Sequence, residues 1–277
     1  MSRRDFRDRV VVITGAAGGL GRSLCRSFAA AGARVAALDR DAVGLRRLAT
    51  EMAGQGGTIH VQACDVTDAA ACAAALAAVR AQLGPVDVLV NNAGIAHRSA
   101  LADTQLAVIR RVMDVNFFGA VHCTQAALAD LRAQRGLVIT LSSVAGYAPL
   151  IGRTGYAASK HALHGFFDSL RAELQDEGVD VLLVCPAFID TGIDRAALGG
   201  DGQPAAQGRL TTGRQATPDE VAQAIVRAAG RGRRFLLHGR TAYLAWWLSR
   251  LWPAAYAAAM KRRLQGEIAP SRTRTGD

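Results

Sequence analysis

Short apolar runs, many of them β-branched, alternate along the chain with longer stretches in which alanine and leucine recur at helical spacing. The runs Arg9–Ile13, Arg34–Leu38, Thr58–Ala63, Val86–Val90, Leu137–Leu141, Val179–Val184 and Arg234–Leu237 predict strands. Each is nearly continuous in apolar character, as expected of strands covered on both faces. Between them the spacing predicts helices over residues 19–31, 41–53, 68–83, 105–133, 155–177 and 218–229. Strands and helices in strict alternation imply right-handed crossovers, hence an α/β fold with a doubly wound parallel sheet of about seven strands and helices on both faces. No repeat divides residues 1–240, which are expected to form one domain. Two stretches break the rhythm. Residues 192–217 lack periodicity and suit a loop that closes over a substrate. Residues 241–277, after the last strand, form an aromatic, basic extension.

Charge sharpens this division. The net charge is +10, yet residues 1–226 carry 22 basic and 21 acidic side chains, whereas residues 227–277 carry 11 and 2. A neutral body argues against nucleic acid as a partner, and a basic tail suits an anionic surface. The five cysteines (Cys25, Cys64, Cys72, Cys123, Cys185) are odd in number, show no C-x-x-C spacing and read as buried thiols in a reducing compartment. The first eight residues are too charged for a signal peptide, so a cytoplasmic location is expected. His97, His122, His161, His164 and His238 show no ligand spacing with cysteine or carboxylate, and no metal is expected.

The first strand runs directly into Thr14-Gly15-Ala16-Ala17-Gly18-Gly19-Leu20-Gly21, and the second ends at Asp39. Glycines at such a turn permit close backbone approach, and the helix that follows offers free N–H groups to a pyrophosphate. Together they predict a dinucleotide site of Rossmann type. Asp39 is placed to accept from ribose hydroxyls and to repel a 2′-phosphate, which favours NAD over NADP. The adjacent Arg40 keeps NADP open.

Lysine is rare here: the chain has 31 arginines and only Lys160 and Lys261. Lys160 follows Tyr156 by four residues, so a helix would place phenol and ammonium on one face. A tyrosine of pKa about 10 needs a shift of about 2.5 units, or about 3.4 kcal/mol, to act as a base near neutral pH. One cation about 4 Å away contributes on the order of 4 kcal/mol at an effective dielectric of 20.

Thr14–Gly21, Asn91-Asn92-Ala93-Gly94, Ser143 thirteen residues before Tyr156, and Tyr156-x-x-x-Lys160 stand in an order that resembles the short-chain dehydrogenase/reductase family. The resemblance covers about residues 9–192. It implies Asn116, Ser143, Tyr156 and Lys160 as the catalytic set, with Asn116 holding a helix distortion and a proton-relaying water. It further implies that Gly15, Gly19, Leu20, Gly21, Asp39, Asp65, Val66, Asn92, Ile189 and Thr191, with Tyr156 and Lys160, contact the cofactor. Asp65 and Val66 would flank the adenine, and Ile189 and Thr191 would lie near the nicotinamide. The family's usual Pro-Gly after the sixth strand is Pro186-Ala187 here. A homodimer or homotetramer through the helices at 105–133 and 155–177 is also implied.

The expected activity is hydride transfer between NAD(H) and a hydrophobic secondary alcohol or ketone, with tyrosine as general acid/base. A 3-oxoacyl (carrier protein) reductase is the alternative within enzymes, and a non-catalytic dinucleotide-binding sensor the alternative outside them. Tyr147, Ile151 and Phe188 are candidate pocket walls. Residues 241–264 hold all three tryptophans and the Lys261-Arg262-Arg263 cluster. Two readings of them stay open: an amphipathic helix in peripheral contact with a membrane, or one packed over the substrate pocket or a neighbouring subunit.

Overall fold

The computed structural model describes residues 4–54, 57–148, 150–193, 196–205 and 215–264. Among these residues are seven strands, β1 (Val10–Thr14), β2 (Arg34–Asp39), β3 (Ile59–Ala63), β4 (Val88–Asn91), β5 (Leu137–Leu141), β6 (Asp180–Pro186) and β7 (Phe235–His238). They form one sheet in the order β3-β2-β1-β4-β5-β6-β7, and every pairing is parallel. The sheet is thus the doubly wound α/β type that strand–helix alternation predicts.

Side-chain alternation along each strand divides the core into two layers. Val11 and Ile13 of β1 pack with α1 (Gly19–Ala30), α2 (Ala42–Gly54) and α7 (Pro218–Gly230). Val10 and Val12 pack on the other face with α3 (Ala69–Leu83), α5 (Gly119–Ala133) and α6 (Thr154–Glu173). Strands β1, β4 and β5 are buried at every position, which is why their runs carry no polar alternation, whereas the half-buried edge strand β3 alternates Ile59 and Val61 with His60 and Gln62.

Helix starts are marked by chemistry legible in sequence. Asp68 caps α3 by accepting from the N–H groups of Ala70 and Ala71. At α7, Thr217 and Glu220 form a reciprocal capping box with Pro218 in the first turn. Helix α1 is different. It begins at Gly18 with no side-chain cap, so its first N–H groups remain available to an anion.

The stretch 105–133 is not one uniform helix. It divides into α4 (Leu106–Met113) and α5, joined by a π-turn over Asp114–Phe118. There the Gly119 N–H donates to the Asp114 carbonyl. A π-turn adds one residue while leaving helical periodicity on both sides, so local sequence does not reveal it. Its consequence is local: Asn116 is turned into the interior.

Strand order reverses between β1 and β4, so the loops after these strands diverge and leave a crevice at the sheet's carboxyl edge. At the opposite edge Asp87 accepts from the Val10 N–H at 2.9 Å and from Arg9 Nη1 at 2.8 Å. The segment 192–217 lies only partly within the described residues. Leu198 bridges to His97, and Ala216 to Ile189. The aromatic stretch forms two helices, α8 (Arg240–Leu251) and α9 (Pro253–Leu264). Residues 265–277 of the extension lie outside the described residues.

Two glycine substitutions test this packing with opposite signs. A Cβ on Gly21 would stand 2.1 Å from the Gly15 carbonyl oxygen, so Gly21→Ala should cost about 1–3 kcal/mol in urea unfolding. A Cβ on Gly165, in α6, would meet nothing within 4 Å, so Gly165→Ala should stabilise by up to about 1 kcal/mol.

Candidate active site

The glycine turn owes its shape to contacts that exclude side chains. Gly15 has φ of +65°, and a Cβ there would lie 2.8 Å from Ala93 Cα. Below it, Thr14 Oγ1 donates to the Val90 carbonyl and accepts from the N–H groups of Asn92 and Ala93. Asn92 Nδ2 donates in return to the carbonyls of Thr14 and Gly15, at 2.9 and 3.1 Å. The loops after β1 and β4 are therefore stitched into one floor. Gly19 faces Thr191 across the crevice, where a Cβ would approach the Thr191 carbonyl to 2.9 Å.

Asp39 closes the β2 end. Its Oδ2 accepts from the Ala17 N–H and its Oδ1 from the Asp41 N–H, each at 2.9 Å. Both oxygens are oriented by backbone, with lone pairs left for a ligand. Asp65 sits nearby after β3. The Thr67 N–H chiefly holds its carboxyl below the usual carboxylate range, with Arg40 and Arg111 adding weaker attraction.

At the ends of β4, β5 and α6 the polar groups converge. Lys160 is buried, and its Nζ donates to the Leu141 carbonyl at 2.8 Å. Burial lowers its pKa from 10.5 to about 8. The same Nζ lies 5.7 Å from the centre of the Tyr156 ring. Asn116 stands behind them. Its Oδ1 accepts from the Ile95 N–H, and its Nδ2 donates to the Ile95 carbonyl and to Ser159 Oγ. Ser159 Oγ donates to the Tyr156 carbonyl at 2.8 Å. Gly94 marks the meeting point, since a Cβ there would lie 3.3 Å from Asn116 Oδ1 and 3.7 Å from Lys160 Nζ. Ser143 Oγ accepts from the Ala145 N–H at 3.2 Å, which leaves its own O–H free to donate elsewhere.

These groups share one cavity of about 790 Å³. Gly15, Gly19, Leu20, Gly21, Asp39, Asp65, Val66 and Asn92 line one end of it. Ser143, Tyr156, Lys160, Ile189 and Thr191 line the middle. Asn116 is not on the wall but lies behind it, bonded to the Ile95 backbone. The rest of the lining is mostly apolar, with Val144, Leu150, Phe188, Ile193, Leu244, Leu248, Tyr256 and Met260 beside Arg153, Thr241 and Arg263. Of the three wall candidates, only Phe188 lines the cavity. Tyr147 instead donates its hydroxyl to the Ala242 carbonyl at 2.8 Å, and the Ile151 N–H reaches Met260 Sδ at 3.2 Å. Both fasten the C-terminal helices that complete the wall.

Sequence reasoning passed over a buried set beneath Lys160. Ser142 Oγ donates to the Lys160 carbonyl and lies 2.9 Å from His164 Nε2, with Cys185 Sγ 3.5 Å from the same nitrogen. Burial pushes His164 down to about 4 and the Cys185 thiol up to about 12, so both are neutral near pH 7. Helical spacing of Lys160 and His164 on α6 was the one available signal.

A family model described as short chain dehydrogenase matches residues 9–199. The protein named dehydrogenase/reductase SDR family member 7B of Xenopus tropicalis is 38% identical over 270 residues, covering 95% of this chain and 87% of its own length. Its namesake from Bos taurus is 40% identical over 274 residues, covering 96% and 84%. Among solved structures, an alcohol dehydrogenase from the archaeon Thermococcus sibiricus, complexed with 5-hydroxy-NADP, superimposes with a TM-score of 0.72 at 26% identity. It covers 83% of this chain and 95% of its own.

The buried ammonium gives a pH signature. An unfolded lysine titrates near 10.5 and the folded one near 8, so between those values the unfolded chain binds the extra proton and stability rises with pH. The unfolding free energy of the cofactor-free protein, measured relative to Lys160→Met, should therefore increase from pH 8 to pH 10. A difference that is flat or falling contradicts the burial.

Proposed function

The chain belongs to the short-chain dehydrogenase/reductase family, and from that premise we propose that its cavity moves a hydride between NAD(H) and a hydrophobic secondary alcohol or ketone. One observation carries the reading: Ser143, Tyr156 and the buried Lys160 line the same cavity as the glycine turn, beneath apolar outer walls. The glycine turn, the uncapped start of α1 and the Asp39 carboxylate suit a dinucleotide's pyrophosphate and adenosine ribose.

Preference for NAD is supported by charge. Asp39 and Asp65 line the adenosine end with one lining cation, Arg40, while Arg111 attracts Asp65 more weakly from outside the lining. Two carboxylates and one cation leave that end net negative, which disfavours a 2′-phosphate.

The chemistry that a bound nicotinamide supplies is hydride transfer. The protein's own residues handle the proton. Tyr156 accepts the hydroxyl proton of an alcohol, or donates to a carbonyl in reduction. A unit cation at 5.7 Å, the separation of Lys160 Nζ from the ring centre, favours a phenolate by about 3 kcal/mol at an effective dielectric of 20. The Ser143 hydroxyl donates to the substrate oxygen and stabilises charge that develops there. Asn116 and Ser159 fix the Ile95 backbone and the first turn of α6, which positions Tyr156.

Turnover of Tyr156→Phe should fall by about two to four orders of magnitude, with NADH affinity within a few-fold of the parent by fluorescence titration. Retained turnover removes Tyr156 from the proton path. With long-chain ketones and sterol or fatty alcohols as the panel, NADH should outperform NADPH, and Asp39→Ser should narrow that gap. Turnover confined to 3-oxoacyl thioesters would replace the substrate assignment.

A further inference from the structure

Helices α8 and α9 carry more apolar surface than the fold requires. Among the described residues, nine large hydrophobic side chains are exposed, and five of them are Tyr243, Leu244, Trp247, Leu251 and Trp252. Trp247 and Trp252 are 58% and 60% exposed. Their neighbour Trp246 is satisfied differently. It packs edge-on against Tyr147, tilts against Phe235, and has the Arg250 guanidinium 3.2 Å above its ring. One tryptophan anchors the helix and two face outward.

The same helices are uniformly cationic. Residues 240–264 contain Arg240, Arg250, Lys261, Arg262 and Arg263 and no acidic residue. No described helix is long and apolar enough to cross a membrane. Aromatic and basic side chains on a short helix are suited to the plane of a lipid interface, where indole rings lie at headgroup depth and cations meet anionic lipids.

The patch also adjoins the cavity. Leu244, Ala259 and Arg263 are exposed and line it at once, so the mouth opens between the two helices. We propose that α8 and α9 seat the protein on an anionic lipid bilayer with the cavity mouth against the surface, so that lipophilic substrate enters from the lipid. Docking stands independently of the catalytic reading; only the statement about substrate entry rests on it. A second copy of the chain is a poorer occupant, because a twofold contact would oppose two patches that each carry five cations.

The test is flotation of the full-length protein with phosphatidylcholine vesicles, with and without phosphatidylglycerol, at low and high salt. Binding should require phosphatidylglycerol and weaken in high salt. Each basic side chain near such a surface strengthens binding about fivefold, so Lys261→Glu with Arg262→Glu should weaken it at least about twenty-five-fold. Trp247→Ser with Trp252→Ser should weaken it roughly tenfold. None of these four residues lines the cavity, so NADH affinity and the thermal midpoint should stay at parental values. No flotation with anionic vesicles, or flotation that both double variants leave unchanged, overturns the proposal. So does a stable dimer in sedimentation that both variants dissociate, since that assigns the patch to a second copy.

Discussion

The site depends on keeping one ammonium charged inside the protein. Lys160 is buried, and desolvation brings its pKa down to about 8. Near pH 7 it still carries its proton, at a cost in stability that an apolar residue would not incur. Its hydrogen bond to the Leu141 carbonyl is a partial answer, because that carbonyl ends β5 at the carboxyl edge of the sheet. Holding the ammonium there requires α6 to be fixed against the strand ends from two sides. Ser142 and His164 do so beneath the helix, and Asn116 and Ser159 beside it. The π-turn belongs to the same requirement, since it turns Asn116 inward to reach the Ile95 backbone.

That dependence explains which parts were legible in sequence. The strands and the glycine turn follow from rules acting over a few residues: continuous apolar runs, positive φ, close backbone approach. Tyr156 and Lys160 follow from helical spacing. The Ser142–His164–Cys185 set follows from no such rule, and the π-turn is expected only through the family resemblance, as a helix distortion at Asn116. They link residues about twenty or more apart along the chain, through groups with equally good local explanations. Tyr147 shows the converse error. Its apolar ring suggested a pocket wall, whereas its buried hydroxyl needed an acceptor and found one in the Ala242 carbonyl. Burial pushes that phenol well above its ordinary pKa, so it remains a neutral donor and a fastening for α8.

Two kinds of surface meet in the cavity because they come from different parts of the chain. Polar groups stand on strand ends and on α6, elements held by the two core layers. Half of the apolar outer wall comes from α8 and α9, of which α8 rests on a small cluster around Cys185, Leu237 and Ala242. Precision of position is greatest where the core is deepest, and the groups proposed to move protons stand there. The outer wall needs only shape and low polarity, which a pair of lightly packed helices supplies.

Helical geometry then links substrate access to the outer surface. Residues at adjacent positions on α8 differ by about 100°, so Trp246 and Trp247 cannot both pack inward. With Trp246 held by Tyr147, Phe235 and Arg250, Trp247 is directed outward. Leu244, three residues before Trp247 and so about 60° from it around the helix, is exposed and also lines the cavity. A change at Leu244 therefore alters the mouth and the patch together, whereas a change at Trp247 reaches the patch alone. The anchoring that makes α8 a wall is thus also what leaves aromatic side chains exposed beside the cavity mouth.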